Sequence, residues 1–324
     1  MMIRRASRLL AASLLAGATI AASVSPAPVV TEIYRFPNET FIENIVVRPD
    51  DQLLLSTFDQ GRVYIIDPSA AEPEPYVLAK IPGINKLTGI ALVAPDVYAV
   101  SGGDESGGWE FVNGTALVAT INLKACDGHG PTVNVVAKIP EALVLNGMAA
   151  LTGTPHIVLS ADSLTGRIYR TNTATGEVDV AFQDDNLGPG PNEQIPPLGA
   201  NGLLIRDGYL YFTNSNRQSF GRVPITDEGD QAGEVEEIYC MPPGSLNAFD
   251  DFSITSDGVA YIASQTDSLV RVTPDGQLTT LIGPDSETKL DSPTSLELSA
   301  DEKTVYVVTG GLEGRGGQIV AVQV

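Results

Sequence analysis

Short apolar runs alternate with polar positions along most of the chain and are separated by turn residues. That period predicts strands rather than helices. One template recurs: a polar or small residue leads an apolar strand, a turn follows, and a second apolar strand returns. It reads Glu43-Asn44-Ile45-Val46-Val47 then Asp51-Gln52-Leu53-Leu54-Leu55, and Asn201-Gly202-Leu203-Leu204-Ile205 then Asp207-Gly208-Tyr209-Leu210-Tyr211. It reads again as Asp250-Asp251-Phe252-Ser253-Ile254 then Asp257-Gly258-Val259-Ala260-Tyr261, and weaker copies begin at Thr88, Asn146 and Thr294. Asp-Gly between two apolar runs is a strong hairpin signal. The leading positions 43, 88, 146, 201, 250 and 294 lie 44–58 residues apart. That is the period of propeller blades, each a four-stranded antiparallel sheet, and it predicts an all-β, six-bladed β-propeller.

Third strands follow at Gly61-Arg62-Val63-Tyr64, Gly166-Arg167-Ile168-Tyr169 and Gly221-Arg222-Val223, and fourth strands at Leu78–Pro82 and Val136–Pro140. The last copy holds only three strands. The missing one matches the start of the chain, where Glu32-Ile33-Tyr34-Arg35-Phe36-Pro37 resembles Glu237-Ile238-Tyr239-Cys240-Met241-Pro242. Glu32 to Phe36 is therefore expected to complete the sixth blade, pairing the N- and C-terminal strands and removing two exposed sheet edges. No linker separates the copies, so residues 26–324 read as one domain.

Residues 1–25 read as a secretory signal: Arg4, Arg5 and Arg8, then an apolar run from Leu9 to Ala22, then small residues. A secreted, extracellular protein without stable membrane insertion is the expectation; a retained anchor is the alternative. The formal charge is −21, and losing the three arginines leaves the mature chain more acidic still. A field of that sign excludes nucleic acid and anionic membrane as partners and favours cations. Asn38 and Asn113 open glycosylation sequons. Cys126 and Cys240 are either a disulfide or two buried free thiols.

In a propeller the first strand of each blade lines the central channel, with its leading residue at the mouth. Glu43, Asn146, Asn201 and Asp250 offer carboxylate or amide oxygens there, beside Thr88 and Thr294. Such a ring suits Ca²⁺ or another divalent cation, and it is equally the chemistry of tight turns. His129 and His156 stand in unlike contexts, which argues against a histidine zinc site. No nucleophile elbow, Walker motif or dinucleotide fingerprint occurs in context. Two Gly- and Pro-rich insertions, residues 101–113 with Trp109 and residues 184–199, are expected to wall the mouth.

With six such copies and these leading residues, the chain resembles the senescence marker protein/gluconolactonase (regucalcin-like) family. That resemblance implies a divalent metal on Glu43, Asn146, Asn201 and Asp250. Two departures stand out: the family's Glu-Gly-Pro is Glu43-Asn44-Ile45, and its Asp-Gly is Asp250-Asp251. Ile42-Glu43-Asn44-Ile45 and Tyr64-Ile65-Ile66-Asp67-Pro68 resemble a fungal branch found in natural-product pathways. This second resemblance implies a cyclase performing hetero-Diels–Alder addition of a quinone methide to a terpene alkene, as in tropolonic sesquiterpenoid synthesis. The reactants would be small, apolar polyketide or terpenoid molecules, and no cofactor would be required. Glu43, Asn146, Asn201, Asp250 and Asp251 are then the candidate catalytic residues, and Thr88, Trp109, Asn216, Gln265 and Thr294 the candidate substrate contacts. A metal-dependent lactonase or esterase and a non-catalytic ligand-binding propeller are the alternatives.

Overall fold

The computed structural model describes residues 28–105, 107, 110–124 and 130–324. The expected leader (1–25), Trp109, Cys126 and His129 lie outside them. Among the described residues there is no helix; twenty-four strands, β1 to β24 in chain order, form six four-stranded antiparallel sheets. The innermost strands are β2 (Ile42–Val47), β6 (Lys86–Ala94), β10 (Leu145–Ala150), β14 (Ala200–Arg206), β18 (Ala248–Ile254) and β22 (Pro293–Leu298). Each touches the next and β22 touches β2, so the six sheets close into the propeller the repeat predicts.

Closure uses the terminal strands. β1 (Val30–Arg35) pairs antiparallel with β24 (Gln318–Gln323), from Val30↔Val322 to Arg35↔Gln318. The strand starts two residues earlier than the match to Glu237–Pro242 predicts, and Phe36 leaves it to enter the core between blades 6 and 1. The Asp-Gly signal at Asp207-Gly208 makes the expected two-residue hairpin, with φ of 49° and 77° and Arg206 paired with Tyr209. Apolar residues fill all six gaps between neighbouring sheets, for example Ile42, Leu53, Leu55, Val308 and Ile319 between blades 6 and 1. Stability is thus spread around the ring, each blade burying its faces on two others.

Every blade breaks its ladder at the same place. Register between the first and second strands shifts at Ile42/Asn44, Leu87/Ile90, Leu145/Met148, Ala200/Leu203, Phe249/Phe252 and Pro293/Ser295. These bulges fall on the six leading residues, and a bulge re-aims a side chain out of the pleat. Backbones crowd there. A Cβ on Gly147 would lie 2.1 Å from the Asn201 carbonyl oxygen, and one on Gly89 2.5 Å from that of Asn146, so glycine is required at both. Hydroxyl groups on or just after the second strand of a blade reach the innermost strand of the next: Ser56 Oγ donates to Thr88 O at 2.6 Å, Ser163 Oγ to Ala200 O at 2.6 Å and Ser215 Oγ to Phe249 O at 2.7 Å.

Candidate functional site

The bulges of blades 1 to 5 line a cavity of about 240 Å³ at one end of the channel. Glu43, Thr88, Asn146, Asn201, Asp250 and Gln265 all line it, so the structure gathers six of the residues chosen from sequence. Thr294 is fully buried beside it, donating to Ile42 O at 2.7 Å across the closing interface. Asn216 faces the second insertion, its Nδ2 reaching the carbonyls of Asn192, Ile195 and Pro196 at 2.9–3.0 Å, and so fixes that loop. Both insertions wall the cavity, through Glu105 and Phe111 from the first and Pro196 and Leu198 from the second. Asp251 is turned away from the mouth towards the axis below, accepting from Asn44. His156 is exposed and contributes its carbonyl to Thr173. Cys240 is exposed on the outer edge of blade 4, which corrects the expectation of a buried thiol there.

The lining differs by sector. Phe41, Phe58 and Phe111 belong to blades 1 and 2, whereas the amides Asn146, Asn201 and Gln265 belong to blades 3 to 5, where Phe249 is the one phenylalanine in the lining among the described residues. Phe41 and Phe58 stack at 4.7 Å with planes 9° apart. The ammonium of Lys86 lies 4.5 Å from the Phe58 centroid and 3.1 Å from Glu105 Oε1, pinned by a cation–π contact and an ion pair. Phe41, Lys86, Val144 and Ala248 each sit two residues before a leading residue and line the cavity with it. The sequence search stopped at the leading residues; the period of two along a strand was the signal for these.

The polar groups fall into two kinds. Asp250 is held: Gln265 and Asn201 donate to its carboxylate, and Asn201 Nδ2 also donates to Ser215 Oγ at 3.0 Å. Glu43 and Asn146 are 9 % and 5 % exposed, and neither side chain makes a hydrogen bond to any described residue. Buried polar groups are normally satisfied, so these two are presented to whatever occupies the cavity. Burial first, then the charge of Asp251, pushes the Glu43 carboxyl up to about 8, with Lys86 opposing the rise. Asp250 is raised well above its ordinary range by burial and then by Glu43, against the pull of its amide donors.

The metal implied by the family resemblance would be held by Glu43, Asn146, Asn201 and Asp250, which line the same cavity and carry carboxylate and amide oxygens. Asn201 directs its N–H to Asp250, and a half-turn of that amide would present its oxygen instead. No helix among the described residues is long and apolar enough to cross a membrane.

With this geometry in place, comparison with known proteins carries weight. The protein named "Putative hetero-Diels-Alderase" of Phoma sp is 27% identical over 312 residues, 86% of each chain. The protein "Putative hetero-Diels-Alderase asR5" of Sarocladium schorii is 27% identical over 327 residues, covering 90% of this chain and 80% of that one. The chain has hetero-Diels-Alderase homologues. No protein-family profile matches it. Among solved structures, a luciferin-regenerating enzyme superposes with a TM-score of 0.65 at 14% identity, over 92% of this chain and 95% of that one. A "putative gluconolactonase" gives 0.63 at 12%, over 92% and 93%. These two likenesses show the propeller fold.

Two expected results follow from the cavity itself. A Cβ on Gly310 would lie 2.2 Å from the Phe41 ring. Gly310→Ala is expected to force that ring off Phe58 and weaken binding of an apolar ligand about tenfold, the cost of a small steric change in an apolar pocket; an unchanged Kd would show the stack does not shape the site. The second concerns pH. Glu43 titrates near 8 folded and near its ordinary 4.5 unfolded, so between those values the native state holds the extra proton and stability falls as pH rises. A shift in that direction corresponds to several kcal/mol lost across the window, at about 1.4 kcal/mol per pH unit. The wild type is expected to melt at higher temperature at pH 5 than at pH 8, and Glu43→Gln to reduce the difference without removing it, because burial also pushes Glu297 up to about 8. Equal slopes in both proteins would refute the assignment.

Proposed function

We propose that this protein is a cyclase joining a heterodiene of quinone-methide type to a terpene alkene by hetero-Diels–Alder addition at the mouth of the propeller. The observation that carries the reading is the pair Glu43 and Asn146: nine-tenths buried, without a side-chain partner among the described residues, in a cavity partly walled by phenylalanines. A pericyclic addition needs reactants held in pose and a polarised carbonyl, and little else. The phenylalanine sector suits the hydrocarbon reactant and the amide sector the oxygenated one. Pockets that enclose drug-sized ligands run from ~300 to 1,000 Å³, so a 240 Å³ cavity holds the reacting centre rather than the whole of both molecules.

In this reading the ring oxygen of the heterodiene accepts hydrogen bonds from Asn146 Nδ2 and from the carboxylic acid of Glu43. The addition forms one C–C and one C–O bond and transfers no proton. The same acids serve a preceding step. Two buried carboxyls that repel one another keep one proton between them; Glu43, with no donor facing it, keeps the proton, and Asp250, facing two amide donors, carries the charge. Glu43 gives its proton to a departing benzylic hydroxyl, which leaves as water as its C–O bond breaks. Asp250 takes the proton of the neighbouring ring hydroxyl, whose oxygen becomes the carbonyl of the heterodiene, and that proton passes back to Glu43, which is again the carboxylic acid when the addition begins.

The test is to supply a hydroxymethyl precursor and a terpene alkene, with and without a chelator. A single enantiomer of adduct, formed at the same rate in both, is expected. Racemic adduct at the uncatalysed rate would sink the proposal. Chelator-sensitive hydrolysis of lactones instead would favour the metal-dependent hydrolase. We further propose secretion with glycans on Asn38 and Asn113, both of which are exposed; a glycosidase that leaves the mass of the secreted protein unchanged would refute the glycans.

A further inference from the structure

The residues that follow the six leading residues are Asn44, Gly89, Gly147, Gly202, Asp251 and Ser295. Three are glycines. The other three meet. Asn44 Nδ2 donates to Asp251 Oδ2 at 2.8 Å, and Ser295 Oγ lies 3.0 Å from Asn44 Oδ1 and 3.3 Å from Asp251 Oδ2. The remaining positions are satisfied locally, Ile45 N donating to Asn44 Oδ1 and Phe252 N to Asp251 Oδ1, each at 2.8 Å. Partners 207 and 251 residues apart thus join blades 1, 5 and 6 across the axis. A Cβ on Gly202 would lie 2.1 Å from Asp251 Oδ1, so the carboxylate fills space a fourth side chain would claim.

The mouth cavity lies on one side of this triad, and none of the three residues lines it. On the other side a separate cavity is lined by Asn44, Asp251 and Glu297. The two departures from the family pattern, Asn44 and Asp251, are therefore one feature, since each is the hydrogen-bond partner of the other. Their chain neighbours are Glu43 and Asp250, the two acids of the mouth.

We propose that Asn44, Asp251 and Ser295 are positioning residues, a brace across the axis that floors the mouth cavity and holds Glu43 and Asp250 in register. The brace rests on the mouth being the reaction site, as proposed above. Its role follows from geometry: a misplacement of about 1 Å at reacting groups costs on the order of 100-fold in rate, and two strands meeting at bulges have no ladder bond there to fix them.

An exchange of partners tests this. Asp251→Asn places two amides together, and Asn44→Asp two carboxylates. The double variant N44D/D251N restores one amide facing one carboxylate and keeps the acceptors for Ile45 N and Phe252 N. Each single variant is expected to lower kcat by about 10- to 100-fold with KM nearly unchanged, and the double variant to recover most of the loss. Unchanged kcat in the singles, or a double no better than the worse single, overturns the proposal. Should a single variant not fold, Ser295→Ala, which removes one hydroxyl, is expected to show the same kcat-only loss in smaller degree; a change in KM alone overturns it. The same cycle is run on melting temperature. If the wild type forms no adduct, the cyclase reading falls by itself, and melting decides the brace: recovery in the double supports it, additive losses overturn it.

Discussion

A mature chain lacking residues 31–37 is expected to melt at least ~15 °C below the intact protein, or not to fold at all. The segment holds most of β1, the outer strand of blade 6, and its loss uncovers the edge of β24 over Gln318–Gln323. Phe36 goes with it, a ring 5 % exposed in the core between blades 6 and 1 and edge-on to Tyr64 at 5.1 Å. Removing a buried phenylalanine costs ~3–5 kcal/mol. Arg35 is lost too. Its Nη1 lies 2.6 Å from Oδ2 of Asp291, a carboxylate whose side chain is 5% exposed, with the half-exposed Arg315 as its other cationic partner. Glu32 takes a hydrogen bond from Gln318 Nε2 at 2.6 Å, so that amide is left with the Lys289 carbonyl alone. Stripping one partner from a buried charge costs a few kcal/mol more. Against the 5–15 kcal/mol that holds a typical domain together, these losses leave little, and at ~2–4 °C per kcal/mol they give the stated shift. Calorimetry of the two proteins decides it. Coincident melting curves would mean that the ring closes without β1.

That closure was legible because both ends of the chain wrote the same strand: Glu32-Ile33-Tyr34 repeats Glu237-Ile238-Tyr239. The leading residues were legible for a related reason. Each precedes an apolar run at a blade's spacing, and the structure puts a bulge at each. What lay outside the pattern were contacts made by closure. Asp251 follows Asp250 directly, and along a strand neighbours point to opposite faces, so one lines the mouth and its neighbour the axis. That Asp251 meets Asn44 depends on joining residues 207 positions apart, which no local period records. Thr294 shares the spacing of the other leading residues, yet its hydroxyl is drawn to the Ile42 carbonyl, because the closing interface offers an acceptor there. Lys86 was missed for a simpler reason. A lysine before an apolar strand reads as solvated surface, and only the assembled ring places Phe58 beneath its ammonium.

Replacing Glu43 by Gln is expected to lower kcat by about 10²–10⁴-fold on a precursor that must lose water, the range for removing a general acid, with KM little changed. Glutamine keeps the length of the side chain and can still donate an N–H to a carbonyl; it has no proton to give. The substitution therefore separates the two duties assigned to this residue. If Glu43 only polarised the heterodiene, the amide would keep most of the activity. Asn146→Ala provides the contrast. It removes a hydrogen-bond donor from the carbonyl, and losing one such donor costs on the order of 10²–10³-fold, whether the heterodiene is preformed or made in the site. Glu43→Gln is expected to spare the preformed heterodiene. The pH profile carries the same assignment. With its carboxyl pushed up to about 8 by burial, Glu43 is the protonated acid at neutral pH, so wild-type turnover of the precursor should fall above about pH 8, and the variant's residual rate should lack that limb. A Glu43→Gln protein that turns over the precursor at the wild-type rate would remove Glu43 from the chemistry and leave the mouth as a binding surface.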